Sequence, residues 1–133
     1  MRPRQAPKWI DPRALVLLHA ETLAEHGGLP GLRDEAALEA ALARPQHVHA
    51  YEPDTDVSRL AAAYGFGIVR DHPFSDGNKR AGFLAIGLFL ALNGYELVVD
   101  QAEAVRIMLA LAAGQLSEAK LTDWIRKHGT RRK

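Results

Sequence analysis

Apolar residues recur along this chain with the spacing of α-helices. The stripe Leu60, Ala63, Tyr64, Gly67 and Ile68 predicts a helix that begins near Asp56 and ends near Asp71. A continuous apolar run follows over residues 81–92. Its 12 residues are too few to cross a bilayer core, which needs about 20. We therefore predict a helix over residues 78–93 that is apolar on all sides and forms the buried centre of a bundle.

Helix start and stop signals predict four further helices. A short polar side chain before each periodic segment can accept hydrogen bonds from the first free backbone N–H groups. The predicted helices cover about 11–26, 34–44, 100–113 and 117–128. Pro45 is expected to end the second helix, leaving residues 46–55 as a polar loop. With only Tyr95–Val99 expected to be extended, the sequence predicts an all-α fold of six helices around a central buried apolar helix.

Composition is consistent with a single domain in a reducing compartment. The 133 residues suffice for one core, and we divide them into a basic tail over 1–8, a domain over 9–128 and a basic tail over 129–133. There is no cysteine for a disulfide or a thiolate metal site, which suits the cytoplasm. The N-terminus lacks the apolar stretch of a signal peptide, and no segment predicts a membrane span.

Charge is distributed unevenly. All 16 acidic residues lie between Ile10 and Ile125, together with only nine of the 17 Lys and Arg. An acidic body argues against a broad nucleic-acid surface, and the basic ends are interpreted as solvated tails.

The chemistry-bearing residues concentrate in His72-Pro73-Phe74-Ser75-Asp76-Gly77-Asn78-Lys79-Arg80. This stretch directly precedes the apolar helix, where free N–H groups and the positive end of the helix dipole favour an anion. Lys79 and Arg80 add positive charge where an acidic side chain would normally stabilise the helix. Gly77 permits a tight turn whose N–H groups can form an anion nest. The stretch therefore predicts a phosphate site.

Six side chains of the stretch have predicted roles, most of them with a structural alternative. His72 is the candidate general base, since an imidazole accepts protons near neutral pH; its alternative is a structural histidine that bonds a loop carbonyl. Asp76 is the candidate Mg²⁺ ligand and could also serve as a helix cap. Asn78 could bond a phosphate or hold the loop, and Phe74 is expected to anchor the loop in the core. Lys79 and Arg80 should contact phosphate oxygens, with solvated surface cations as the alternative.

These nine residues resemble the signature of the Fic/Doc superfamily: His, any residue, Phe, any residue, Asp or Glu, Gly or Ala, Asn, Gly or Lys, Arg. Lys79, at the eighth position, resembles the death-on-curing (Doc) branch, whereas AMP-transferring relatives have glycine there. The likeness extends to the opening helix near Trp9, to the turn over residues 27–34 and to the segment ending at Pro45. It implies a Fic/Doc-like bundle.

The resemblance also implies an activity. A Doc-like protein binds ATP with its γ-phosphate towards the acceptor, so the expected function is a toxin of a toxin–antitoxin pair that acts as a Ser/Thr kinase. The expected acceptor is a threonine of elongation factor Tu, whose phosphorylation inhibits translation. Alternatives are AMP transfer to a protein hydroxyl and a fold-retaining binding module without turnover. Phe83 replaces an arginine common in AMP-transferring relatives, which leaves their inhibitory glutamate without its partner.

The expected partners follow from the same resemblance. A Phd-like antitoxin would bind through a C-terminal helical segment in a groove of the bundle. The loop predicted over residues 46–55 resembles the family's flap, which could hold the target peptide as an added strand. His47 and His49 are interpreted as exposed loop residues and His19 as a satisfied, partly buried one. Arg33 and Asp34 are expected to form a turn and cap, while Arg59 and Arg70 could reach a partner.

Overall fold

The structure is a computed structural model that describes residues 6–132. Its elements are α1 (Pro12–His26), α2 (Glu35–Tyr51), α3 (Val57–Asp71), α4 (Asn78–Leu92), β1 (Tyr95–Leu97), α5 (Gln101–Ala112), α6 (Glu118–His128) and β2 (Gly129–Arg131). The six predicted helices are all present, and the only sheet within residues 6–132 is a two-stranded one. The prediction of an all-α fold is confirmed.

Five helices begin at the polar residues that the sequence marks. The side chains of Asp11, Asp34, Asp56, Asp100 and Ser117 each accept a hydrogen bond from a backbone N–H two or three residues further on. These bonds satisfy N–H groups that the helix itself leaves free. Helix α4 differs, because it follows Gly77 and has no side-chain cap.

The predicted end of α2 at Pro45 was wrong. The helix continues through Pro45 to Tyr51, so residues 46–51 are helical rather than a polar loop or a peptide-holding flap. A proline inside a helix loses one hydrogen bond and costs about 3 kcal/mol. Here Pro45 is fully buried and Val48 packs on the core, so tertiary burial offsets that cost.

The bundle has a central buried helix, but it is α3 rather than α4. Helix α3 packs against α2, α4, α5 and α6, and ten of its 15 residues are buried. Helix α4 keeps one half-exposed face, which includes Leu84, Gly87 and Leu88. The unbroken apolar run of α4 suggested the opposite, because six of the ten buried residues of α3 are small (Ser, Ala or Gly) and give a weaker apolar pattern.

Glycines bring α3 and α4 close together. A Cβ on Gly65 would lie 2.6 Å from Ile86 Cδ1, and one on Gly82 would lie 2.8 Å from Val69 Cγ2. From sequence, Gly82 and Gly87 would both be expected to let neighbouring helices approach closely. Gly82 does so, whereas within residues 6–132 no atom of another element lies within 4 Å of a Cβ placed on Gly87.

Both chain ends of the domain are fastened to the bundle. Near the N-terminus, Ile10 N–H donates to the buried Tyr64 hydroxyl at 3.1 Å, and Trp9 stacks on Phe89 with ring centroids 5.8 Å apart. At the C-terminus, β2 pairs antiparallel with β1, Leu97 opposite Gly129. Residues 129–131 thus belong to a sheet rather than to a loose tail, while most of the predicted N-terminal tail (1–5) and Lys133 fall outside the described residues.

No helix in the described part of the chain has both the length and the apolar character needed to cross a membrane.

The first prediction concerns Asp56, which caps α3 and also pairs with α6. Its carboxylate accepts from Arg126 Nε at 2.7 Å and Nη2 at 3.0 Å, and these bonds hold the pKa of Asp56 below its ordinary value. A lowered carboxyl pKa stabilises the fold above the unfolded-state pKa, and this contribution is lost as pH falls through the folded-state pKa. Asp56→Asn should therefore lower the free energy of unfolding at pH 7 by up to about 1 kcal/mol, since the pair is exposed.

Chemical denaturation across pH measures this effect. The gap between wild type and Asp56→Asn should shrink as pH falls below about 4, because the Asp56 carboxylate then gains its proton first in the unfolded state and only at lower pH in the folded state. Asp123→Asn is the matched control, because Asp123 bonds the same guanidinium through one contact of 3.2 Å only. The prediction would be contradicted if wild type and Asp56→Asn differed in unfolding free energy by the same amount at about pH 3 and at about pH 7.

Candidate active site

The candidate site lies where α3 passes into α4 through residues 72–77. A second loop, residues 27–34 between α1 and α2, lies alongside and is bonded to it through the backbone. Pro73 O accepts from Arg33 N at 2.8 Å and from Asp34 N at 3.0 Å, and Ser75 N donates to Gly31 O at 3.0 Å. The site is therefore built from two loops that are about 40 residues apart in sequence but adjacent in space.

His72 ends α3 in a left-handed backbone conformation, with φ 52° and ψ 56°. Within residues 6–132 it is the only non-glycine residue with positive φ. Its exposed imidazole places Nδ1 3.1 Å from Arg70 O. Because a carbonyl oxygen only accepts, this contact requires a proton on Nδ1, and in the neutral ring Nε2 then keeps a lone pair. This is the arrangement of a general base.

Phe74 and Asn78 fix the middle of the loop. The Phe74 ring is buried in the core, as expected, with its centroid 4.2 Å from that of His19. Asn78 Oδ1 accepts from Phe74 N at 2.9 Å, and Asn78 Nδ2 donates to Phe74 O at 3.0 Å. Both ends of this amide are thus bonded to the backbone of one residue, Phe74, which supports the loop-holding alternative for Asn78 over phosphate contact.

Asp76 is held by three polar contacts. Its carboxylate accepts from Gly77 N at 2.8 Å and from Leu29 N at 3.2 Å, while its carbonyl accepts from His19 Nε2 at 2.8 Å. His19 is buried at 1% exposure, and its Nδ1 has no partner within residues 6–132. The expectation of a satisfied, partly buried His19 was wrong: the ring is enclosed and half-satisfied, and it holds the loop.

The Asp76 carboxylate is suited to sharing a divalent cation. It is exposed, and each oxygen can accept further bonds beyond the one it receives from the backbone. Among the described residues, no three His, Cys, Asp or Glu side chains lie close enough together to hold a metal ion. A Mg²⁺ ion at Asp76 would need phosphate oxygens and waters for its remaining positions, which is how Mg²⁺ commonly binds beside nucleotides.

The N-terminus of α4 is positively charged and unoccupied by protein acceptors. Gly77 precedes it with φ 72°, and no side chain among residues 6–132 caps its N–H groups. Lys79 and Arg80 are exposed, and neither side chain has a hydrogen bond or ion pair within the described part of the chain. Uncapped donors and two free cations in one turn favour binding of an anion with several oxygens.

Arg33 contributes to the site although the sequence suggested only a turn there. Its Nε donates to His72 O at 2.7 Å and its Nη2 to Asp71 O at 3.0 Å. His19 and Arg33 were both missed as site residues, because their partners lie 57 and about 39 residues away. The only available signal was for Arg33, which lies in the turn over residues 27–34 that resembles the family.

Two arginines considered for partner binding already have partners. Arg59 Nη1 bonds Glu118 at 2.6 Å, and Arg70 Nε bonds Asp71 at 2.8 Å. The Arg70 guanidinium also lies 5.3 Å from the Phe66 ring centroid. These contacts support structural roles for both residues.

Residues 9–90, which include both loops, match the family model described as Fic/DOC family. The chain belongs to this family. It is 36% identical over 118 residues to "Protein kinase doc" of Escherichia phage P1, covering 89% of this chain and 93% of that protein. It is 39% identical over 75 residues to "Toxin Doc" of Mycolicibacterium smegmatis, covering 56% of this chain and 58% of that protein. These similarities place the chain in the Doc branch, and its six-helix bundle is a Fic/Doc-like fold.

The contact between Gly77 and His19 gives a second prediction. Gly77 has φ 72°, and an added Cβ would lie 2.8 Å from His19 Cε1. Gly114 is the matched control, because its φ is 74° and its Cβ position has no neighbour within 4 Å. Gly114→Ala should cost about 1 kcal/mol of unfolding free energy through backbone strain alone. Gly77→Ala should cost about 1–3 kcal/mol more, because it also forces the buried ring to move.

Equilibrium unfolding of wild type and both variants measures how much unfolding free energy each substitution costs. Equal losses for Gly77→Ala and Gly114→Ala would show that the ring of His19 does not constrain the loop. A crystal structure of Gly77→Ala should show the His19–Asp76 hydrogen bond lengthened or lost.

Proposed function

We propose that this chain is a toxin of the Doc type and a protein kinase that transfers the γ-phosphate of ATP to a serine or threonine hydroxyl. The observation that carries the proposal is the pairing of a free imidazole Nε2 at the end of α3 with the uncapped, doubly cationic start of α4. The names of the two relatives, a protein kinase and a toxin, support it.

The residues divide the work of an in-line phosphoryl transfer. His72 Nε2 accepts the proton of the acceptor hydroxyl, whose oxygen bonds the γ-phosphorus while the bond from phosphorus to the ADP oxygen breaks. Arg80, as a planar fork, Lys79, as a point charge, and the first N–H groups of α4 stabilise the charge on the phosphoryl oxygens. A Mg²⁺ ion held by Asp76 would supply further charge neutralisation on the phosphates. His72 then releases its proton to solvent.

AMP transfer is the nearest alternative. In AMP-transferring relatives a glycine takes the place of Lys79, which lets the α- and β-phosphates lie against the backbone. Here the exposed Lys79 side chain begins in that space, which favours transfer of the terminal phosphate. A binding module without turnover is a second alternative, although each chemical position of the motif is filled.

Labelled ATP separates these functions. We expect label from the γ-phosphate, and not from the α-phosphate, on purified elongation factor Tu incubated with the protein and Mg²⁺. His72→Ala should lower transfer by about a hundredfold or more, since general-base catalysis contributes that much. Intact mass of the acceptor distinguishes a phosphate from an adenylate.

Variants at position 79 sharpen the test. Lys79→Ala keeps a Cβ and a good helix former but removes the ammonium group and its stem, whereas Lys79→Gly also removes the Cβ beside the backbone. Both should lose γ-phosphate transfer. Label from the α-phosphate with wild type would support AMP transfer instead. Two results together would favour a binding module. Neither label would appear on the factor or in a translating extract, and His72→Ala would leave growth arrest unchanged.

We further propose that an antitoxin of the Phd type blocks the site through a C-terminal helix, in the cytoplasm. Helix α4 carries a partly exposed stripe, Leu84, Leu88 and Leu92, flanked by α1 and α5. An amphipathic helix can lie on such a stripe, and α4 begins at the site.

Replacing an apolar residue of this stripe should weaken antitoxin binding. Leu88→Arg should weaken binding of a co-encoded antitoxin by about tenfold or more, because a charge would enter an apolar contact. Tyr51→Arg on α2, 86% exposed in wild type, is the control. Calorimetry measures both variants, and unchanged binding to Leu88→Arg would exclude this surface.

A further inference from the structure

The guanidinium of Arg33 bonds two consecutive carbonyls at the end of α3. Nε donates to His72 O at 2.7 Å, and Nη2 donates to Asp71 O at 3.0 Å. The last carbonyls of a helix have no partner within the helix itself. A planar fork suits two neighbouring acceptors, whereas an ammonium group offers no fixed pair of donors. Arg33 therefore fixes the orientation of the two peptide units that flank the Cα of His72.

The conformation of His72 needs such support. A left-handed backbone costs energy for a residue with a Cβ, and it persists only where the surroundings determine it. The N–H of His72 donates to Ile68 O at 3.1 Å, and the next carbonyl, Pro73 O, accepts from Arg33 N at 2.8 Å. Arg33 thus contacts this turn in two ways. Its side chain bonds the carbonyls of Asp71 and His72, and its backbone N–H bonds the carbonyl of Pro73.

The same conformation determines which imidazole nitrogen is free. With φ at 52°, the ring turns back towards its own helix, and Nδ1 reaches Arg70 O at 3.1 Å. That contact requires the proton on Nδ1 and leaves Nε2 as the acceptor. If the turn relaxed to an ordinary backbone conformation, the ring would lose this hydrogen bond and both tautomers would be populated.

We propose that Arg33 is a positioning residue for phosphoryl transfer, holding His72 in the left-handed turn that leaves Nε2 as the free base. The proposal rests on the role of His72 in the proposed function. Arg33 itself contacts the turn and not the reacting groups, so its effect should fall on turnover rather than on nucleotide binding.

Three variants separate positioning from simple helix capping. Arg33→Ala removes both side-chain hydrogen bonds, and Arg33→Lys keeps the charge but not the fork. Arg106→Ala is the control, because Arg106 is an exposed arginine on α5 whose ion pair to Glu103 measures 3.8 Å. Folding of each variant is checked by equilibrium unfolding.

Nitrogen-15 NMR of the His72 ring, recorded without ATP or Mg²⁺, is the first readout. Wild type and Arg106→Ala should show one tautomer with the proton on Nδ1. Arg33→Ala should show averaging between the two tautomers, and Arg33→Lys should be intermediate. A cap that only stabilised the helix would lower unfolding stability and leave the ring signals of the folded protein unchanged.

Kinetics supply the second readout. For Arg33→Ala we expect kcat to fall about tenfold or more, because a displaced base is poorly aligned. The dissociation constant of ATP should stay within about twofold, since uniform binding is not altered. Wild-type ring signals with kcat within about twofold of wild type would overturn the proposal.

The two readouts also separate this proposal from the kinase function. If wild type transfers no phosphate but the ring signals respond to Arg33→Ala, the kinase function fails and control of the His72 turn by Arg33 stands. If wild type transfers phosphate and Arg33→Ala changes neither readout, the kinase function stands and the positioning role fails.

Discussion

The close crossing of α3 and α4 is the constraint on which the rest of the structure depends. With Gly65 and Gly82 at the contact, the two helices approach closely, and residues 72–77 must reverse the chain within a short distance. Both ends of this connection adopt the left-handed conformation, His72 with φ 52° and Gly77 with φ 72°. One end presents an imidazole and the other opens an uncapped helix, so the tight reversal itself brings the candidate base and the candidate anion site together.

The reversal is stabilised from outside rather than by its own residues alone. The loop over residues 27–34 bonds to it through the backbone, and His19 bonds the carbonyl of Asp76 from beneath. Only Asn78 and Gly77 supply comparable contacts from within the motif. The motif contains the candidate catalytic and phosphate-binding residues, and the segment from α1 to the start of α2 makes many of the hydrogen bonds that hold them in place.

Local signals allowed much of the fold to be predicted from sequence. Capping residues such as Asp34 and Asp100 act on N–H groups two or three positions away, so helix starts follow from neighbouring residues. The end of α2 was predicted wrongly at Pro45, because burial of the proline offsets the free energy that it costs the helix, and burial is a tertiary property. The strand at Gly129–Arg131 was missed for the same reason, since a three-residue strand exists only through its partner β1.

The candidate site also combines features that neighbouring residues specify with features that depend on tertiary contacts. His72 and its motif were predicted because a signature of nine adjacent residues specifies them. The contacts of His19 and Arg33 join residues that are distant in sequence, and neither histidine on a helix nor arginine in a turn indicates such a partner by itself.

Enclosure of α3 on four sides has a consequence for how the protein opens. The helix that ends in His72 touches α6, near the C-terminus, as well as α2 and α4. Detaching any one of these helices would expose apolar surface of α3, so partial unfolding that spares the α3–α4 junction is disfavoured. Backbone amides in the last turn of α3 should accordingly be among the slowest to exchange with solvent, and the junction should persist until the domain melts as one cooperative unit.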